Sequence, residues 1–270
     1  MKMAIAQMQC EVGNVNNNLK KVLEYIEKAA AGGFDVVIFP EMADTGYDVS
    51  KISDYASSWN HGPILHLQKA AEKNRIYVIC GLSEFEYGCV YNVLAVVNPE
   101  GVIVGKYRKT HLASFPPLDE DKVFAAGNCL ETVQIGDFKC GLMICYDLRF
   151  PEVARSLALK GAEVLVLSSA WPFPRLKHWD TLIAARAIEN QVFVAAANQV
   201  GSNSTVTFCG SSKIVDPFGV TVSSASEERE VLIAGEIEKN VQVEVRKAMP
   251  VFKHRREKLY FEATCCKHPG

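Results

Sequence analysis

The chain has 270 residues, 49% hydrophobic and 22% charged, with a formal net charge of −2. That length is near the upper limit for one hydrophobic core, and the near-neutral charge gives no electrostatic basis for binding nucleic acid or an anionic membrane. No apolar run reaches the ~18 residues of a membrane helix, and MKMAIAQMQC lacks an apolar stretch of signal-peptide length, so a soluble, cytoplasmic protein is expected.

In chain order, KMAIAQM reads as a strand. NVNNNLKKVLEYIEKAAAGG follows with Leu19, Val22, Leu23 and Ile26 at i, i+3, i+4 and i+7, an amphipathic helix ended by Gly32 and Gly33. DVVIFPE is a short buried strand and ILHLQKAAEKNR a second helix. Then come the apolar runs IYVICGLSEFE, VYNVLAVVNPEGVIVGKYRK, TVQIGDFKCGLMICYD, AEVLVLSSAW, QVFVAAANQVG and SKIVDPFGVTVS. VNPEGVIV and VDPFGVTV read as hairpins, each broken by a Pro-x-Gly turn. PEVARSLALKG and KHWDTLIAARAIENQ fit two more helices. HW at 178–179 and ARAIENQ read as helix packing or subunit contact. Alternating strands and helices predict an α/β protein, and the added hairpins favour two sheets packed together. No repeat or linker marks a boundary, so residues 1–270 are expected to form a single domain. The tail, about 247–270, is basic and then aromatic, and is expected to be disordered at its end or laid against another surface such as a second subunit.

Nine cysteines occur in scattered spacing, without CxxC, which argues against both a disulfide framework and a zinc site. Several, such as Cys80 and Cys140, sit within apolar runs as small hydrophobes. Polar residues that follow buried strands mark where a site would lie, because ligands in α/β proteins bind beyond strand C-termini. Glu41 follows DVVIF, Cys145 follows CGLMI, Trp171 follows VLVLSSA, Asn198 and Gln199 end VFVAAA, and GVIVGKYR leads to Lys109. A thiol, a carboxylate and an ammonium brought together supply a nucleophile, a general base and a stabiliser of a tetrahedral oxyanion, the parts of acyl transfer through a thioester. A nearby cation or a helix N-terminus lowers a thiol's pKa, and Cys145 is expected in a sharp strand-to-helix turn. Taken singly, Glu41 reads as a solvated loop carboxylate, Lys109 as a surface charge beside Lys106 and Arg108, and Cys145 as a packing residue.

Three blocks, FPEMADTGY (39–47), YRKTHL (107–112) and GLMICYDLRFPE (141–152), closely resemble in order and separation the signature blocks of the nitrilase superfamily of carbon–nitrogen hydrolases. The similarity extends from AIAQMQ to PVFKHRREKLY. The resemblance implies a four-layer α-β-β-α sandwich, assembly into homodimers or higher homo-oligomers, and a catalytic set of Glu41, Lys109 and Cys145 that needs no metal or organic cofactor. It also implies a backbone N–H after the nucleophile, that of Tyr146, as an oxyanion donor. Glu120, in LDEDKVFAAGN before Gly127, resembles the family's second glutamate, expected to orient Lys109 or the substrate; the alternative is a solvated acidic loop of Asp119, Glu120 and Asp121. The ASFPPL segment before it departs from the family's familiar forms.

SSAWPFPRLKHWDTLIAARAIENQ resembles the ω-amidase branch, which hydrolyses dicarboxylate monoamides such as 2-oxoglutaramate. An anionic substrate calls for a cation, which Arg149 or Arg175 can supply, with Tyr47 and Trp171 as pocket walls. Arg149 can instead pair with Asp147 or Glu152 and brace the nucleophile turn. N-carbamoyl amine or nitrile hydrolysis is the enzymatic alternative within the family. A Cys–His mechanism through His111 or His178 and an inactive binding protein that keeps the fold are the others.

Overall fold

The computed structural model describes residues 1–260. In chain order the elements are β1 (Lys2–Gln7), α1 (Val15–Ala31), β2 (Val36–Ile38), α2 (Ile52–Tyr55), α3 (Pro63–Asn74), β3 (Tyr77–Glu86), β4 (Cys89–Val97), β5 (Ile103–Arg108), β6 (Thr132–Ile135) and β7 (Phe138–Ile144). They continue with α4 (Pro151–Leu159), β8 (Val164–Ser169), α5 (Leu176–Asn190), β9 (Phe193–Asn198), β10 (Val200–Ser202), β11 (Thr207–Cys209), β12 (Lys213–Val215), β13 (Thr221–Ser224), β14 (Val231–Glu236) and α6 (Lys239–Ala248).

The described residues form two six-stranded sheets, ordered β14-β1-β2-β3-β4-β5 and β13-β12-β9-β8-β7-β6, and a β10–β11 ribbon. Each sheet has a parallel centre, β1-β2-β3 in one and β7-β8-β9 in the other, flanked by antiparallel strands. The parallel centres read as continuous apolar runs because both faces of each sheet are covered. Alternation then divides the side chains: Met3, Ile5, Val36 and Ile38 meet the second sheet, while Ala4, Ala6, Val37 and Phe39 pack with Val22 and Ile26 of α1 and Leu67 of α3. α4 and α5 cover the second sheet, burying Leu157, Trp179 and Ile183. The result is the expected α-β-β-α sandwich.

Local sequence signals explain most of these elements. Asn14 caps α1 by accepting from the Asn17 N–H at 3.3 Å; of the predicted apolar stripe Val22 and Ile26 are buried, beside Asn18 and Ala29, while Leu19 and Leu23 are partly buried along its edge. Both Pro-x-Gly segments are hairpin turns, β4–β5 and β12–β13. TVQIGDFKCGLMI, read as one run, is a hairpin turning at Gly136-Asp137, and QVFVAAANQVG divides into β9 and β10. Short α2, the ribbon strand β11, β14 and α6 were not anticipated. β14 closes the first sheet through full antiparallel pairing with β1, from Lys2–Glu236 to Gln7–Val231. Within the tail, α6 ends at Ala248 and a 3₁₀ turn follows at Val251–His254. Residues 261–270, including Cys265 and Cys266, lie outside the described residues. No described helix is long and apolar enough to cross a membrane.

Candidate active site

Glu41, Lys109, Glu120 and Cys145 converge beyond the strand ends, between the two sheets. Glu41 follows β2 through Phe39-Pro40 and is fully buried. Its turn lies against Gly81 of β3, where a Cβ would stand 2.5 Å from Pro40 O and 2.6 Å from Glu41 Cα, so glycine alone permits the approach. Glu41 Oε1 accepts from Asn92 Nδ2 at 2.7 Å and Lys109 Nζ at 2.9 Å, and Oε2 accepts from the Ala170 N–H at 2.8 Å. Gln199 Nε2, reaching across from the second sheet, donates to Glu41 O at 2.7 Å.

Lys109 follows β5, and its N–H donates to Asn92 O at 2.9 Å. Its buried ammonium also donates to Glu120 Oε1 at 2.7 Å. Gly127, whose N–H donates to Lys109 O at 2.8 Å, comes so close that a Cβ there would meet Arg108 O at 2.2 Å. Glu120 is buried rather than part of a solvated acidic loop: Tyr47 OH donates to its Oε1 at 2.5 Å and the Ala113 N–H to its Oε2 at 2.7 Å. Asp121 beside it is exposed.

Cys145 ends β7 with φ +42° and opens a 3₁₀ turn, Cys145–Arg149, that leads into α4 at Pro151. This is the expected sharp turn. A non-glycine residue in the left-handed region persists only where its surroundings hold it. Asp147 provides the hold: its Oδ2 accepts from the Ile144 N–H at 2.9 Å and Tyr107 OH at 2.7 Å. Its Oδ1 accepts from Thr110 Oγ1 and the His111 N–H, both at 3.2 Å, and lies 2.9 Å from His111 Nδ1. The same clamp ties the nucleophile turn to the strand that delivers Lys109. The Tyr146 N–H lies in the first turn of the 3₁₀ segment, where backbone donors lack intrahelical acceptors.

Electrostatics correct one expectation. Burial raises the Cys145 thiol pKa and the Glu41 charge adds to it, outweighing the ammonium of Lys109. The resting nucleophile is therefore a neutral thiol. Burial also raises Glu41, against the lowering by Lys109. Lys109 loses some proton affinity to burial, but Glu120 and Glu41 outweigh that and hold it well above the ordinary lysine value. A charged ammonium between two carboxylates, facing a thiol with a carboxylate base beside it, is equipped for general-base-assisted attack.

A narrow cavity opens onto this floor, lined by Tyr47, Phe115, Leu118, Glu120, Cys145, Tyr146 and the buried Trp171, and by the half-exposed Arg149 and Arg175, which mark its mouth. Phe115 and Leu118 come from the divergent ASFPPL segment. The Arg149 guanidinium lies over the Trp171 ring at 4.6 Å and that of Arg175 over Phe115 at 5.8 Å. Arg149 forms no ion pair with Asp147 or Glu152, so the bracing alternative fails; Asp147 is already filled by Tyr107, Thr110 and His111. His111 is committed to Asp147 and to stacking on Phe150, and His178 lies 3.3 Å from Arg149 NH1, which leaves neither bonded to Cys145. Trp171 and Trp179 pack ring against ring, centroids 5.6 Å apart, so Trp179 is core. Among the described residues no group of three or more His, Cys, Asp or Glu side chains forms a candidate metal site.

Sequence reasoning missed Asn92, Ala113 and Ala170, and gave Asp147 the wrong partner. Asn92 carried a signal, being an amide inside the apolar run VYNVLAVV. Ala113 and Ala170 act through backbone N–H groups, which residue type cannot reveal.

Comparison with known proteins agrees with this geometry. A Bacillus subtilis protein described as 2-oxoglutaramate amidase is 38% identical over 96% of this chain and all of its own length. The human protein described as omega-amidase NIT2 is 30% identical over 95% of this chain and 96% of its own. Among solved structures, Saccharomyces cerevisiae Nit3, described as a member of branch 10 of the nitrilase superfamily, shares 28% identity with a TM-score of 0.87, covering 95% of this chain and 96% of that one. A carbon–nitrogen hydrolase from Helicobacter pylori G27 gives 26% identity and a TM-score of 0.89 over 98% of each chain. The carbon–nitrogen hydrolase family model matches residues 2–247, and the chain belongs to that family, within the nitrilase superfamily.

Proposed function

We propose that this carbon–nitrogen hydrolase is an ω-amidase, releasing ammonia from a short dicarboxylate monoamide such as 2-oxoglutaramate. The observation that carries the substrate reading is the cavity mouth: Arg149 and Arg175 both line it, and neither has a carboxylate partner among the described residues. A substrate carboxylate supplies what they lack, and a guanidinium binds it in bidentate fashion. The relatives described as 2-oxoglutaramate amidase and omega-amidase support the same choice.

In the proposed mechanism Glu41 accepts the Cys145 Sγ proton as sulfur bonds to the amide carbon and the carbonyl electrons move to oxygen. Lys109 Nζ and the Tyr146 N–H stabilise that oxyanion. Glu120, with Tyr47 donating to it, holds Lys109 in place. Collapse breaks the C–N bond, and Glu41 returns its proton to the departing nitrogen, leaving a thioester and ammonia. Glu41 then takes a proton from water, whose oxygen attacks the thioester; the second collapse expels the Cys145 thiolate, which is reprotonated from Glu41. The reading includes a single catalytic domain over 1–270, a homodimer or higher homo-oligomer, and a cytoplasmic location.

The test is ammonia release from 2-oxoglutaramate, 2-oxosuccinamate, neutral aliphatic amides, N-carbamoyl amines and nitriles. Turnover is expected to favour the oxo-acid amides, and Cys145→Ala should remove at least about 10⁴-fold of kcat while the protein stays folded. Inactivity on both oxo-acid amides with turnover of a neutral amide sinks the substrate and spares the mechanism; retained activity in Cys145→Ala sinks the mechanism.

A further inference from the structure

Ser168 and Ser169 end β8 side by side, both fully buried, yet their hydroxyls differ. Ser168 Oγ donates to Phe39 O at 2.6 Å, whereas Ser169 Oγ has no hydrogen-bond partner among the described residues. A buried hydroxyl left unpaired is destabilising. Its surroundings give it a use. In the parallel β7–β8 ladder Ile144 pairs with Ser168, so the next step sets Ser169 abreast of Cys145. On its other side, the N–H of the following residue, Ala170, donates to Glu41 Oε2 at 2.8 Å. Ser169 thus adjoins the nucleophile in the ladder and precedes the residue whose N–H holds the base.

We propose that Ser169 is a further catalytic residue, whose hydroxyl turns to donate a hydrogen bond to Cys145 Sγ as the thiolate forms. This rests on Cys145 acting as the nucleophile and Glu41 as its base. The balance is simple: the Sγ proton passes to Glu41, the electron pair stays on sulfur, and the Ser169 O–H bond remains intact. The same hydrogen bond forms again when the thiolate leaves the second tetrahedral intermediate. A hydrogen bond that strengthens as charge develops on sulfur lowers the barrier more than it stabilises the ground state. The charge balance around the sulfur agrees. Burial and Glu41 raise the thiol pKa, and the Ser169 hydroxyl works against them, as Lys109 does.

The test compares the full-length protein with Ser169→Ala. Iodoacetamide alkylation of each cysteine is followed by mass spectrometry from mildly acidic to alkaline pH, alongside amide turnover and thermal unfolding. The Cys145 alkylation rate at neutral pH is expected to fall about 5–10-fold, because a loss near one pKa unit is a factor of ten in thiolate. Rates at exposed Cys89 and Cys129 should not move. Turnover should lose a similar factor in kcat with KM unchanged, and Tm should hold or rise, since an unpaired buried hydroxyl is removed. An unaltered Cys145 alkylation profile overturns the proposal, and so does a fall in kcat accompanied by a lower Tm, which marks a structural role. Alkylation needs no amide substrate, so a wrong substrate leaves this readout intact. A wild-type Cys145 no more reactive than buried Cys10 removes the nucleophile assignment, and this proposal with it.

Discussion

On the cavity floor Lys109 is held between Glu120 at 2.7 Å and Glu41 at 2.9 Å, all three fully enclosed. At the mouth, Arg149 and Arg175 meet aromatic rings and no carboxylate. The floor satisfies its charges internally, through a chain that runs from the Ala113 N–H and Tyr47 to Glu120, Lys109, Glu41 and the Ala170 N–H. Such a network has one good arrangement and leaves no cation free to bind a substrate carboxylate. The mouth keeps its cations half-exposed and, among the described residues, without a carboxylate partner. Fixed charge belongs with the chemistry and unsatisfied charge with recognition, so substitutions in the two regions should separate kcat from KM.

Lys109→Ala is the severest way to break the floor. It leaves two buried carboxylates close together without their cation, and breaking such a network costs about 3–5 kcal/mol. Unfolding in urea should show that loss, with one of the carboxylates taking up a proton, and kcat should fall by at least about 10³-fold because the oxyanion loses its ammonium. Lys109→Ala with near-native stability would mean that Glu120 and Glu41 do not depend on the cation, and the floor would no longer be the rigid half of the comparison.

The sequence made the floor's charged members visible and left their supports hidden, for physical reasons. Glu41 and Cys145 follow strongly apolar strands, and reactive side chains at such ends are noticeable; Lys109 stands at the end of a strand of mixed polarity and was visible through its motif. The period-two strands, the α1 stripe and the Pro-x-Gly hairpins are local patterns, so they were readable as well. β14 was not, because its pairing with β1 joins residues more than 200 positions apart. Asp147 was misread as a possible partner of Arg149: its five contacts come from Ile144 nearby and from the β5 end some 40 residues upstream. Sequence proximity favoured Arg149, and the fold supplied Tyr107, Thr110 and His111. The net direction of the Cys145 pKa was out of reach for the same reason. It depends on how completely the thiol is buried and on a second carboxylate beside it, neither of which the motif discloses.

At the mouth, Arg175→Gln and Arg149→Gln should act in the opposite manner to Lys109→Ala. A charge-assisted hydrogen bond is worth about 1.5–3 kcal/mol, so KM for a dicarboxylate monoamide should rise roughly tenfold or more for the arginine that binds the carboxylate. Tm and the kcat for a neutral amide of the same length should scarcely change. Equal losses on charged and neutral amides would show that the arginines shape the cavity rather than recognise an anion.

The smallest effect should come from Asn92, which touches the floor without carrying charge. Its Nδ2 donates to Glu41 Oε1 at 2.7 Å, and that bond favours the ionised carboxylate. Burial, the larger influence, raises Glu41 above the usual value, so the acid limb of kcat/KM should lie above pH ~4.3. Asn92→Leu removes the donor and should move that limb to still higher pH, by somewhat less than about one unit, the worth of one neutral hydrogen bond. Linkage has the matching sign. A carboxyl whose folded pKa exceeds its unfolded value binds its proton more tightly in the folded state, so its contribution to stability declines as pH rises from about 4.3 through the raised value. Asn92 Oδ1 has no partner among the described residues, so leucine also removes an unsatisfied buried acceptor, and the net change in Tm should be slight. An acid limb that stays in place while Tm falls would make Asn92 a packing residue; one that moves while Tm holds makes it the neutral group that tunes the base.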